Sequence, residues 1–214
     1  MAIVLDGSTV GSSSGAFARE IAHRIVDWFV IGKPEITAQS LSEELRRTHA
    51  ALSNDFRGDS ASYVLLYVGP DPSALVLHAG DCLVGRPDVC GGTSWLTTPH
   101  TLSNAVASMP ISVLAGEASR HVLTRSLRSK RFITPELTSI ELDDRPLFVA
   151  TDGFWAELDA SQQAAFLEGR FGADDRERDD RSILIISRSK VRSVTKIAGC
   201  HAQSSVYALS ATDA

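Results

Sequence analysis

The sequence predicts an α+β fold. The hydrophobic period switches from helical to strand-like after Gly58, and the strand-like segments then arrive in adjacent pairs rather than alternating with helices. Neither an internal repeat nor a composition shift of linker type interrupts the pattern. With 214 residues, 43% of them hydrophobic and 22% charged, the chain suits one sizeable domain with a proper core, and excludes disorder and fibrous repeats. Residues 1–190 are expected to form this domain, with residues 191–214 as a weakly patterned tail packed on it or loose.

The elements follow in order. Ile3–Gly7 is apolar and strand-like. Phe17, Ile21, Ile25, Trp28 and Phe29 then line one side of a helix over 16–31, after a loop whose serines are placed to cap its first turn. Ser40 with Glu43 reads as a capping box opening a second helix, whose stripe is Leu41, Leu45, Leu52 and Phe56. Ser60–Gly69 and Ala74–Arg86, separated by Pro70-Asp71-Pro72-Ser73, read as a hairpin. Residues 87–117 read as loop with one short strand near Trp95, and residues 119–127 as a short helix. Thr138–Leu142 and Leu147–Thr151, joined by Asp143-Asp144-Arg145-Pro146, read as a second hairpin. Asp159 with Gln162 opens a helix to about Phe171, and Ser182–Ser187 is the last strand.

Several function classes fall away at once. The 21 Lys and Arg against 26 Asp and Glu give net charge −5, which leaves no general basic field for nucleic acid. No apolar run approaches the roughly 18 residues of a membrane span. The first residues show neither a basic region nor a signal-like apolar stretch, so a cytoplasmic protein is expected. Cys82, Cys90 and Cys200 are too few and too scattered for a disulfide framework or zinc knuckle and are expected as small buried residues. Nothing in the sequence sets the oligomeric state.

Four times an apolar strand runs out into aspartate: at Asp6, at Asp81, at Asp152, and, in reverse, at Asp179-Asp180 before Ser182. A single Asp-Gly after a strand is ordinarily a turn. Strands lying side by side would instead bring these carboxylates together, and such a cluster needs cations. Hard oxygen ligands select Mg²⁺ or Mn²⁺, with the carbonyl of Gly7 free to approach the metal as well. The chemistry this supports is a two-metal site that binds a phosphate oxygen and activates a bridging water for phosphate ester hydrolysis.

At these residues the sequence resembles the metal-dependent protein phosphatases, the PPM or type 2C serine/threonine phosphatases. Val4-Leu5-Asp6-Gly7 is similar to the family's Asp-Gly motif, Ala79-Gly80-Asp81-Cys82-Leu83 to its central Gly-Asp-Ser motif, and Leu96-Thr97-Thr98-Pro99-His100 to its Leu-Thr-x-Asp-His segment. Leu123-Thr124-Arg125-Ser126-Leu127 resembles its Ile-Thr-Arg-x-Leu, Phe148–Trp155 its Leu-x-Ser-Asp-Gly-Leu-Trp, and Asp179-Asp180-Arg181-Ser182 its terminal Asp-Asn-x-Thr. The resemblance implies a central antiparallel β-sandwich flanked by helices, in α-β-β-α layers. It implies that Asp6 bridges two Mn²⁺ or Mg²⁺ ions with the Gly7 carbonyl on one of them, that Asp152 and Asp179 complete the other site, and that Asp81 joins Asp152 at a weaker third.

The chain departs from the family's pattern at three places. The strand that the family carries ahead of its Asp-Gly motif, with a phosphate-holding arginine and an acidic pair, has only five residues of counterpart here, which predicts a weakened second metal site. Ala156 replaces an acidic residue of the third site, and Ser8 stands where some members carry a histidine acid. Arg125, with Arg128, Lys130 and Arg131, reads either as a solvated run or as the source of a replacement phosphate ligand, and His100 either as a structural hydrogen-bonder or as the acid. His78 reads as core packing, Gly11–Gly15 as a helix cap rather than a phosphate cradle, and Trp155 as a packing anchor beneath Asp152.

The function expected is hydrolysis of phosphomonoesters, foremost phosphoserine and phosphothreonine in proteins, by a hydroxide held between two ions. The alternatives are a pseudophosphatase that binds or regulates with one weak metal or none, and a hydrolase of a small phosphorylated metabolite.

Overall fold

The computed structural model describes residues 1–9, 11–170, 180–187 and 206–209. Two antiparallel sheets pack face to face. The first runs in the order β1 (Ala2–Gly7), β2 (Ser60–Val68), β3 (Ser73–Ala79), β7 (Glu136–Glu141), with β6 (Leu127–Arg128) on β2 where β3 has left it. The second runs β5 (Thr93–Trp95), β4 (Leu83–Pro87), β8 (Leu147–Ala150), β9 (Ile183–Ile186). Helices α1 (Ser14–Gly32) and α2 (Ala38–Leu52) lie behind the first sheet. The short helices α3 (Leu102–Val106), α4 (Ile111–Leu114) and α5 (Asp152–Trp155), with α6 (Ala160–Leu167), follow strands of the second.

Three apolar clusters correspond to the three interfaces of an α-β-β-α stack. Phe17, Ile21, Ile25, Leu41 and Leu45 meet Tyr63, Leu65 and Leu77 between α1, α2 and the first sheet. The alternate residues Val64, Leu66 and Val76 meet Val84 and Val149 between the sheets. Leu83 and Ala150 meet Leu114, Phe154, Trp155 and Leu158 on the far side. Strand period 2 thus sends successive side chains of β2 into different layers, which is why both of its faces read as apolar. The layered sandwich expected from the resemblance is the fold observed.

Several local expectations change. The limb expected as Ala74–Arg86 breaks at Gly80, whose φ is +104° and where a Cβ would stand 2.1 Å from Ser62 Oγ, so β3 and β4 belong to different sheets. The second hairpin is not one either: β7 pairs with β3 and β8 with β4 and β9, so Asp143–Pro146 carries the chain between sheets. Arg86 holds that crossing by an ion pair of 2.7 Å to Asp143 and a hydrogen bond to the carbonyl of Glu141. A turn motif fixes local direction, but long-range pairing decides the partner strand.

The serines before α1 do not cap it. Asp59 instead accepts from the Ser13 N–H and the Ser14 hydroxyl. The capping box of α2 lies three residues earlier than expected, with Thr37 as the cap and Ser40 reciprocating. Asp159 and Gln162 do form the box expected at α6. Residues 87–117 hold α3 and α4 besides the short strand β5, and residues 118–121 form a single 3₁₀ turn. Cys82 is buried but Cys90 is exposed, against the expectation for it, and Cys200 lies outside the described residues. The segment expected as a tail is described only at 206–209, where Tyr207 donates to Asp27 of α1 at 2.7 Å and its ring lies 4.3 Å from that of His23.

Candidate metal and phosphate site

Three of the four strand-end aspartates arrive at one end of the sandwich. Asp6 is the second-last residue of β1, opposite Ser62 of β2. The Ser62 hydroxyl accepts from the N–H of Asp81 at 3.3 Å, in the crossing between sheets. Asp152 opens α5 directly after β8, and Trp155 of the same turn donates its indole N–H to the Asp81 carbonyl at 2.8 Å. Trp155 is therefore a packing anchor as expected, and it also ties the Asp152 turn to the Asp81 crossing. Gly7 is required where it stands, since a Cβ there would lie 2.7 Å from backbone atoms of Ser14 at the start of α1.

The charges act on one another. Burial raises the Cys82 thiol, and the charges of Asp6, Asp81 and Asp152 raise it further, so all three carboxylates act on one buried sulfur. Burial and then the charge of Asp152 push Asp81 up to about 6. Like-charged carboxylates crowded in a low-dielectric site are stable as anions only beside positive charge. One such charge belongs to the protein: Arg120, in the 3₁₀ turn, places Nη1 2.8 Å from Asp152 Oδ2, with both side chains buried. The donor set is all oxygen, the ligand chemistry that hard cations such as Mg²⁺ and Mn²⁺ take.

Asp179 lies outside the described residues. Its neighbour Asp180 comes against the Asp152 turn: the Thr151 hydroxyl donates to the Asp180 carbonyl at 3.0 Å, and a Cβ at Gly153 would stand 2.5 Å from that oxygen. The glycine of this Asp-Gly pair thus admits the returning chain.

His100 and Arg125 stand elsewhere. The His100 N–H donates to the Gly80 carbonyl, the Gly80 N–H donates to His100 Nδ1, and His100 Nε2 lies 3.0 Å from Glu136. Arg125 lies 3.9 Å from the same Glu136. His78, fully buried on β3, stacks on His100 with ring centroids 4.7 Å apart. Burial, then the neighbouring His100, lowers His78 to about 4, so it is neutral at pH 7. Burial alone would raise Glu136, but its bond to His100 and the charges around it outweigh that and lower it.

Beside the aspartates, Ser8 borders an open cleft of about 410 Å³ whose other walls include Asp59, His121, Ser126, Arg128 and Lys130. Arg120 and His121 were not singled out by the sequence. The only signal for them was two adjacent basic residues in a segment read as a short helix, and nothing local says that one of them reaches Asp152, 32 residues away.

No protein-family model matches the sequence, and no curated protein matches it. Solved structures do. The chain is similar to the PPM Ser-Thr phosphatase MsPP from Mycobacterium smegmatis, solved with cacodylate, at TM-score 0.70 and 18% identity over 87% of each chain. It is similar to the serine/threonine phosphatase Stp1 from Staphylococcus aureus at TM-score 0.71 and 11% identity, covering 87% of this chain and 83% of that one. It is also similar to the catalytic domain of the serine threonine protein phosphatase PstP in complex with two manganese ions, at TM-score 0.62 and 14% identity over 86% of each chain. The chain has the fold of PPM-type serine/threonine phosphatases.

Proposed function

We propose that the protein is a metal-dependent phosphatase acting on phosphomonoesters, with phosphoserine and phosphothreonine of proteins as its substrate class. The observation that carries this reading is the arrival of Asp6, Asp81 and Asp152 at one end of a sandwich shared with phosphatases. Asp6, the Gly7 carbonyl, Asp152 and Asp179 are the proposed ligands of two Mn²⁺ or Mg²⁺ ions, with Asp81 and Asp152 at a third position. PstP was solved with two manganese ions, which supports this choice of metal. When bound, such ions supply Lewis acidity toward a phosphate oxygen and an acidified water.

The chain's own residues have separable tasks. Ser62 and Trp155 orient the Asp81 segment, and Arg120 holds Asp152 in place. Arg128 and Lys130, which line the same cleft as Ser8, are the cations best placed to bind the substrate phosphate, ahead of Arg125, which stands by Glu136. His121 borders the same cleft and is the proposed proton donor to the leaving group, in preference to His100, whose ring nitrogens already face Gly80 and Glu136.

The test is Mn²⁺-dependent hydrolysis of p-nitrophenyl phosphate and of phosphoserine and phosphothreonine peptides. Turnover should fall by about 100-fold or more in Asp152→Asn. Absence of turnover by the native chain, or its survival in Asp152→Asn, overturns the reading. A second reading, a pseudophosphatase that keeps the fold as a binding module, is favoured by one observation, the buried guanidinium already seated on Asp152. Calorimetric titration with Mn²⁺ separates the two: the enzyme binds two ions with an affinity that depends on Asp152, and the module binds one weakly or none.

A further inference from the structure

We propose that His78, His100 and Glu136 form a second metal site, a two-histidine, one-carboxylate set suited to Zn²⁺ and distinct in ligand chemistry from the aspartate cluster. One ligand atom from each of the three lies within 4.8 Å of the others. The backbone builds this meeting. His78 of β3 and Glu136 of β7 are directly opposed in register. His100 is delivered to them by its backbone N–H bond to the Gly80 carbonyl, with Nε2 3.0 Å from the carboxylate; to ligate through Nε2 the ring takes the Nδ1–H tautomer and gives up the bond that Nδ1 accepts from the Gly80 N–H.

His78 carries the argument furthest. It is fully buried, and neither of its ring nitrogens has a hydrogen-bond partner. Leaving a buried polar group without a partner is costly, so a ring kept this way calls for a ligand. Its Nε2 stands 3.7 Å from Glu136 Oε1, too long for a hydrogen bond. Bonds of about 2.0 Å at a tetrahedral zinc hold two ligand atoms roughly 3.3 Å apart, so a small closure of this gap admits the ion. Imidazole with carboxylate selects zinc and its first-row neighbours over Mg²⁺. The Glu136 side chain is 43% exposed, which gives the ion a path inward and leaves a coordination position open toward solvent. Arg125, 3.9 Å from Glu136 on the outer side, would give up part of its hold on the carboxylate when the metal enters.

The position gives such a metal leverage. His78 precedes Asp81 by two intervening residues, and the His100 N–H donates to the carbonyl of the Gly80 between them. An ion here joins β3, β7 and the His100 loop, and so stiffens the segment that presents Asp81.

The experiment uses the full chain, stripped with chelator and kept in excess Mg²⁺ so that the carboxylate cluster is supplied. Co²⁺ is added as a spectroscopic probe. The expected result is the visible absorption of four-coordinate Co²⁺, saturating at one equivalent and bleached by one equivalent of Zn²⁺, in both the native chain and Asp152→Asn. Glu136→Gln, a change at a half-exposed side chain that leaves the core intact, should weaken binding by about tenfold or more. His78→Asn should abolish the band, with circular dichroism reporting whether the variant folds. No visible band in the native chain, or an unchanged affinity in Glu136→Gln, overturns the proposal, as does a band lost in Asp152→Asn. The readout is absorption rather than turnover, so its failure leaves the phosphatase reading standing, and failure of that reading leaves this site standing.

Discussion

On the aspartate side of Gly80 three carboxylates gather with one arginine, and on the histidine side two imidazoles meet one carboxylate. Burial and then Asp6, Asp81 and Asp152 raise the Cys82 thiol, and burial and Asp152 hold Asp81 near 6, with Arg120 as the cation in contact with Asp152. Across the glycine, neutral His78, stacked on His100, meets a single carboxylate that is partly open to water. The first cluster is costly without cations and offers only oxygen. The second holds one buried imidazole without a hydrogen-bond partner and offers nitrogen. Two neighbouring sites on one crossing segment can therefore discriminate hard from softer cations through residue type alone.

The crossing segment is the place to break both at once. Gly80 combines φ of +104° with a Cβ position 2.1 Å from Ser62 Oγ and 2.7 Å from Ser62 Cα. Gly80→Val should cost about 5 kcal/mol by urea unfolding, from backbone strain together with overpacking, and should weaken Mn²⁺ and Co²⁺ binding together. Gly58→Ala, at φ of +92° but facing open space, should cost only about 1 kcal/mol. If Gly80→Val weakened one metal and spared the other, the two clusters would not share this pivot.

Arg120→Met sharpens the aspartate side. Removing one partner of a buried ion pair leaves the other charge uncompensated, at a cost of about 4 kcal/mol in metal-free protein. Mn²⁺ should then raise the melting temperature of the variant more than that of the native chain, because the ions take over the neutralisation of Asp152. An equal rise in both would mean that Arg120 and the ions do not serve the same carboxylate.

How much of this could be read from the sequence depends on the range of each contact. Asp6, Asp81 and Asp152 were legible because each ends an apolar strand, a pattern visible within five residues. The helices were legible from period 3.6, with Leu41, Leu45 and Leu52 all buried as expected. The two apparent hairpins were misread where a local turn signal competes with the pairing of strands between sheets, as at Gly80 and at Asp143–Pro146. Arg120 on Asp152 and Glu136 opposite His78 lay beyond reach, since both depend on segments 32 and 58 residues apart whose register no local pattern fixes.

The same comparison predicts a pH dependence of one sign. Asp81 titrates near 3.8 when unfolded and near 6 when folded in the absence of metal, so the folded state holds its proton more tightly. Its contribution to stability is fully present below about pH 4 and is lost as pH rises through 6, by at most ~3 kcal/mol at about 1.4 kcal/mol per pK unit. The difference in unfolding free energy between the native chain and Asp81→Asn, measured in chelator from pH 4 to 7, should shift steadily against the native chain. A flat difference would show that Asp81 does not carry the burden of that crowded site.

A control away from both clusters has the smallest effect. In α2, Thr37 accepts from the Ser40 N–H at 3.0 Å and Ser40 Oγ accepts from the Thr37 N–H at 2.9 Å, while Glu43 only accepts from Gln39 one turn along. Thr37→Ala should cost about 1 kcal/mol by removing the cap, and Glu43→Ala about 0.3 kcal/mol, the worth of one exposed side-chain pair. Neither should alter Mn²⁺ or Co²⁺ affinity, since α2 supports the first sheet from behind through Leu41 and Leu45. The reverse ranking of the two costs would start the helix three residues later, at the box the sequence suggested. A change in either metal's affinity would mean that the sites respond to global stability rather than to the residues around Gly80.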